Sequence, residues 1–126
     1  MRTLIAFVAV LATAALVPAV APGKGSPGVI RSGKCTGNAT WKLKAKNDDA
    51  SIEIDFEVDQ NVVGRRWNVT LTRGTRVVFR GTRVTRAPSG SFSVQRLVAN
   101  PAGPNRISAL ARASAGGQVC RASLTV

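Results

Sequence analysis

Residues 39 to 59 read ATWKLKAKNDDASIEIDFEVD, and both halves of this stretch alternate apolar with charged residues. In the first half Trp41, Leu43 and Ala45 alternate with Lys42, Lys44 and Lys46. In the second, Ile52, Ile54, Phe56 and Val58 alternate with Glu53, Asp55, Glu57 and Asp59. A period of two marks strands with one buried face. Closing the halves about a four-residue loop, Asn47 to Ala50, predicts an antiparallel hairpin. Trp41 then faces Phe56, Leu43 faces Ile54 and Ala45 faces Ile52 on the buried side. Lys44 faces Glu53 and Lys42 faces Asp55 on the other. A slip of one residue would set apolar side chains against charges, so the facing is strongly specified.

Beyond Asp59 the chain reads as more strands separated by turns. Asp59 to Gly64 has the look of a calcium loop at its start, but Val63 occupies the third ligand position and Thr70 stands where the closing Glu belongs. An Asx-type turn, with Gly64 at positive φ, is the expectation. Trp67, Val69 and Leu71 alternate with polar residues in a third strand, Arg66 to Thr72. Arg76 to Arg80 is a short fourth strand ended by Gly81, and Pro88-Ser89-Gly90 is a turn. Ser91 to Val98 is a fifth strand with Phe92 and Val94 inward. Arg106 to Ala113 and Gln118 to Thr125 form a last hairpin around Ser114 to Gly117, in which Ala111 faces Cys120, Ala109 faces Ala122 and Ile107 faces Leu124.

Upstream, Met1-Arg2 followed by an apolar run to Val17 and small residues at Ala19 has the pattern of a secretory signal peptide over residues 1–19. The run is near the lower limit of the roughly 17–25 residues that span a bilayer, so no stable membrane span is expected after cleavage and the destination is extracellular. Residues 20–33 are rich in Gly, Pro and Ser and are expected to be a disordered linker. Residues 34–126 then form one domain with one modest core. Its cysteines, Cys35 and Cys120, lie 85 positions apart at its two ends. In an exported chain an isolated pair is expected to form a disulfide. With no histidine in the chain, the alternative of a soft-metal site lacks its other ligands.

Seven strands with turns every 8–12 residues and two tryptophans in early strands resemble an immunoglobulin-like or fibronectin type III-like domain. The resemblance implies an all-β, seven-stranded antiparallel immunoglobulin-like sandwich. The cysteines depart from the antibody pattern, because they flank the domain instead of lying on its second and sixth strands. A chain without tyrosine also makes no tyrosine corner. Trp67-Asn-Val-Thr-Leu, with Gly81-Thr82 and Gly90-Ser91-Phe92, resembles a group of small exported bacterial proteins of unassigned function.

Charge is segregated along the chain. All six acids fall between Asp48 and Asp59, whereas eleven arginines and no acid follow Asp59. Loss of Arg2 with the signal would lower the formal charge only from +12 to +11. In a sandwich of the resembled kind the third, sixth and seventh strands share a sheet, so Arg66, Arg106, Arg112 and Arg121 are expected on one outward face. Such a face suits an anionic cell-wall or extracellular polymer, because guanidinium forks match phosphate and carboxylate. Nucleic acid is the poorer candidate, since no aromatic residue is placed outward for base stacking.

Catalysis has little to work with. There is no histidine or tyrosine, Ser89, Ser91 and Ser93 have no base to activate them, and the carboxylates of one strand are explained by the lysines opposite. The expectation is a secreted, non-catalytic binding or structural module without metal or cofactor. The alternative is a small secreted inhibitor or toxin that presents the loop Ala99 to Asn105 to a protein target.

Overall fold

The computed structural model describes residues 28–126; the expected signal peptide and residues 20–27 of the expected linker lie outside the described residues. Eight strands build an all-β sandwich: β1 (Val29–Lys34), β2 (Thr40–Asp48), β3 (Ser51–Asp59), β4 (Arg66–Arg73), β5 (Arg76–Val84), β6 (Ser91–Ala99), β7 (Arg106–Ala113) and β8 (Val119–Thr125). They form two four-stranded sheets, ordered β1-β2-β3-β6 and β5-β4-β7-β8. Every pairing is antiparallel.

The first correction concerns β1. Val29 to Lys34 pairs with the lysine strand β2 and does not belong to a linker, so the strands number eight and not seven. The glycine that reads as flexible has a packing reason. A Cβ on Gly33 would stand 2.7 Å from Cζ2 of Trp41, so only glycine lets that indole lie against the edge strand. Trp41, expected in the core, is accordingly half-buried beneath β1.

The β2–β3 hairpin keeps the expected faces but slides by two residues. Leu43 pairs with Phe56, Ala45 with Ile54 and Trp41 with Val58, while Lys42, Lys44 and Lys46 pair with Glu57, Asp55 and Glu53. The turn is two residues long, because Asp49 takes a positive φ of 54°, a conformation that a short polar side chain tolerates. A shift of two leaves each side chain on its own face, so the alternation could not distinguish the two registers. The β7–β8 hairpin has the expected register, with Ile107, Ala109 and Ala111 against Leu124, Ala122 and Cys120.

β5, the strand expected to end at Gly81, runs on to Val84. Gly81 makes room for an aromatic cover, since a Cβ there would meet the Phe79 ring at 2.8 Å. That ring lies where the sandwich is open between edge strands β5 and β6. The guanidinium carbons of Arg83 and Arg96 stand 4.9 and 4.3 Å from its centroid, within the range of cation–π attraction. Arg73 ties the same side by donating from Nη1 to the Ala99 carbonyl at 2.7 Å.

The core lies between the sheets. Leu43, Ile52, Ile54, Phe56 and Val94 from one sheet meet Trp67, Val69, Leu71 and Ile107 from the other, all buried. Trp67 and Phe92 pack across it with ring centroids 6.1 Å apart. The indole N–H donates to Gln60 Oε1 at 2.9 Å, which satisfies a polar group that burial would otherwise penalise.

The loop after Asp59 is the expected Asx turn. Asp59 Oδ1 accepts from Asn61 N at 2.9 Å, and Gly64 has φ 86°. It is pinned by the buried Thr85, whose hydroxyl donates to the Val62 carbonyl at 2.6 Å and accepts from Arg65 N at 2.8 Å. Thr85→Val keeps the shape and removes both bonds. We expect a loss of about 1–3 kcal/mol in denaturant unfolding, the cost of leaving buried polar groups unmatched. A loss below about 0.5 kcal/mol, the usual range for a surface site, would show that the hydroxyl does not hold this loop.

The two cysteines form one disulfide. Cys35 follows β1 and Cys120 lies on β8, so the bond joins the edge of one sheet to the edge of the other. Around it Thr36 N donates to the Val119 carbonyl, Val119 N to Thr36 Oγ1 and Ala39 N to Gln118 Oε1, at 2.9, 2.9 and 3.0 Å.

Candidate anion-binding face

The outer faces of the two sheets differ in charge because strand alternation sorts the sequence onto them. On the first sheet, β2 presents Lys42, Lys44 and Lys46, and β3 presents Glu57, Asp55 and Glu53 directly opposite. Lys46 Nζ lies 3.8 Å from Glu53 Oε2. Acids and lysines thus compensate one another locally.

The second sheet has no such compensation. Its four strands contain no Asp or Glu. Inward positions of β4, β7 and β8 are filled by Trp67, Val69, Leu71, Ile107, Ala109, Ala111, Cys120, Ala122 and Leu124. The alternate positions therefore face out, and Arg66, Arg106, Arg112 and Arg121 are all exposed there. The structure places the four expected arginines on one face. It adds Arg80, which pairs with the outward Thr70. A sequence reading that ends the strand at Gly81 leaves Arg80 without an assigned side, although its alternation with Phe79 contains the signal.

Cross-strand rows give the geometry. Arg80, Thr70, Leu110 and Arg121 form one row across β5, β4, β7 and β8; Thr72, Ser108 and Ser123 form the next. Arg80 and Arg121 are thus three strand spacings, about 14 Å, apart at the backbone. Arg112 lies in the row on the opposite side, beside Asn68. Between Arg106 and Arg121 the side chains of Thr70, Thr72, Ser108 and Ser123, with Leu110 beside them, line an open depression of about 350 Å³. Arg106 leans into it, with Nη2 3.4 Å from Ser123 Oγ.

The other groups singled out in the sequence are placed as follows. Ser89 and Ser91 hydrogen-bond to each other at 2.7 Å, and Ser93 faces outward from β6, paired with Glu57. No cluster of three or more potential metal ligands occurs among the described residues. The loop Ala99 to Asn105 is braced from within. Asn105 is buried, and its Nδ2 lies 3.0–3.1 Å from Asn100 Oδ1 and the carbonyls of Pro101 and Gly103. Asn100 N also donates to the Ala50 carbonyl at 2.9 Å.

Comparison of the chain with protein-family models, with curated proteins and with solved structures finds no match in any of the three.

Proposed function

We propose that this is a secreted, non-catalytic binding module of immunoglobulin-like or fibronectin type III-like architecture, and that its outer β5-β4-β7-β8 face holds an anionic extracellular or cell-wall polymer. The observation that carries the reading is the contrast of the two faces. One face has its cations paired with acids in register, and the other displays Arg66, Arg80, Arg106, Arg112 and Arg121 with no carboxylate on any of its strands. Uncompensated guanidinium groups on a flat sheet attract a polyanion over a distance set by salt, and fork-shaped donors suit phosphate, sulfate or carboxylate. With β1 as an addition at one edge, β2 to β8 divide three against four, and the third, sixth and seventh of them lie together, as in sandwiches of the resembled kind. A disulfide suits an oxidising compartment.

Binding to heparin-like and wall-derived polymers is expected to weaken steeply with salt as counterions are released. Replacing Arg66, Arg106, Arg112 and Arg121 by glutamine should flatten the log K against log salt slope by roughly 3, at somewhat under one per contact, and leave thermal unfolding near that of the parent. Glutamine at Lys42, Lys44 and Lys46 should leave the slope intact and cost at most about 1 kcal/mol of stability, because exposed ion pairs contribute little. Equal polymer binding by the parent and the four-glutamine variant would reject the reading.

The braced loop Ala99 to Asn105 favours a second reading, an inhibitor or toxin with a preorganised contact segment. Capture of a protein target that survives the four arginine replacements and is lost on changing the loop would assign the function there.

A further inference from the structure

We infer that the depression between Arg106 and Arg121 is a subsite for one tetrahedral ester anion, sulfate or phosphate, together with the hydroxyl-bearing sugar or polyol unit to which it is attached. This rests on the polyanion reading of the face and goes further, naming the point at which a polymer repeat is gripped and the chemistry of that repeat.

Three observations carry it. The two arginines enter from opposite ends of one trough. Arg106 lies one row to one side of the Ser108–Ser123 pair, and Arg121 one row to the other. Arg106 is already drawn over Ser123. The lining between them carries four short hydroxyls, Thr70, Thr72, Ser108 and Ser123, each able to donate and to accept, beside one apolar side chain, Leu110, against which the carbon skeleton of a sugar or polyol can rest. Guanidinium forks for the charged oxygens and hydroxyls for neutral ones are the complement of an ester anion on a polyhydroxyl chain. Finally, about 350 Å³ is far more than one bare ion needs and falls at the lower end of small-ligand sites. A repeat unit therefore fits better than an isolated sulfate. Beside Arg66 the cross-strand partner on β5 is the apolar Val84, so that end of the face lacks the row of hydroxyls that lies between Arg106 and Arg121.

The test compares two charge-matched variants of the full domain, Arg106→Gln/Arg121→Gln and Arg66→Gln/Arg80→Gln. The probes are a heparin oligosaccharide (sulfate ester), a glycerol-phosphate oligomer (phosphodiester) and polyglutamate (carboxylate only), at fixed low salt. The trough pair should lose at least tenfold more affinity for the sulfate or phosphodiester probe than the distal pair, and the responding probe names the ester. Binding of polyglutamate should be weaker and reduced about equally by both pairs. Lysine at 106 and 121 should not restore ester binding, because a point charge does not replace the fork.

Equal losses from both pairs on every probe would overturn the subsite and leave a diffuse cationic face standing. So would full rescue by lysine. Absence of binding by the parent domain to all three probes at low salt would overturn the face and the subsite together.

Discussion

Phe56→Ala is expected to destabilise the domain by about 3–5 kcal/mol, read as a lower denaturant midpoint at unchanged slope. Phe56 is fully enclosed, paired across its sheet with Leu43 on one side and Val94 on the other. Its neighbours are held by two ladders and cannot collapse into the space a benzyl group leaves. Domains of this kind have only about 5–15 kcal/mol in all, so the variant should be partly unfolded at ambient temperature if the parent lies at the low end. Trp41→Ala serves as the contrast. It removes a larger ring that is only half-buried, and should cost less. A Phe56→Ala loss below about 1 kcal/mol would be incompatible with the core described here.

Removing the disulfide is the second large effect. Cys35→Ala/Cys120→Ala should cost about 2–5 kcal/mol, the usual consequence for a small disulfide-bonded domain. The separation of 85 residues places the chain-entropy value near 4–5 kcal/mol, treated as an upper guide. The loss has a location as well as a size. Without the bond, the segment 35–39 is held to β8 by a few hydrogen bonds to Gln118 and Val119, and the edge strand β1 by its one ladder to β2 and by Trp41 packed on Gly33. Hydrogen exchange should therefore quicken first in β1, before the β3–β6 and β4–β7 ladders respond. Urea unfolding of the double variant within 0.5 kcal/mol of the oxidised parent would mean that the sheets are fastened by packing alone.

Much of the sandwich was legible because alternation is a property of single strands. The inward sets of β3, β4 and the β7–β8 hairpin follow from counting every second residue, and burial at one face is enough to fix them. The outward arginines are the same count displaced by one. What alternation cannot encode is register in steps of two, and the β2–β3 hairpin differs from its expected pairing by that step. The turn decided it, through the backbone that Asp49 adopts. Glycine misled twice for one reason. Gly33 and Gly81 read as breaks, yet each is a strand residue left bare so that an aromatic ring can lie over it. That information belongs to the ring's position in space and not to the glycine's neighbours in the chain. The depression was invisible for a related reason, since Thr70, Ser108 and Ser123 come from three strands that only the sheet order brings together.

The two guanidinium groups stacked on Phe79 bear on how copies of this protein meet. At β5 and β6 each sheet ends in a row of unsatisfied backbone groups, the kind of border that recruits a strand from another molecule. Arg83 and Arg96 occupy register positions that point between the sheets, so cations line the gap where an intruding strand would have to settle. A second copy would bring its own arginines to the same place, and like charges held in a half-dry crevice repel more than they do in open water. The open border at β5 and β6 is thus defended against strand addition, and the defence weakens as salt rises.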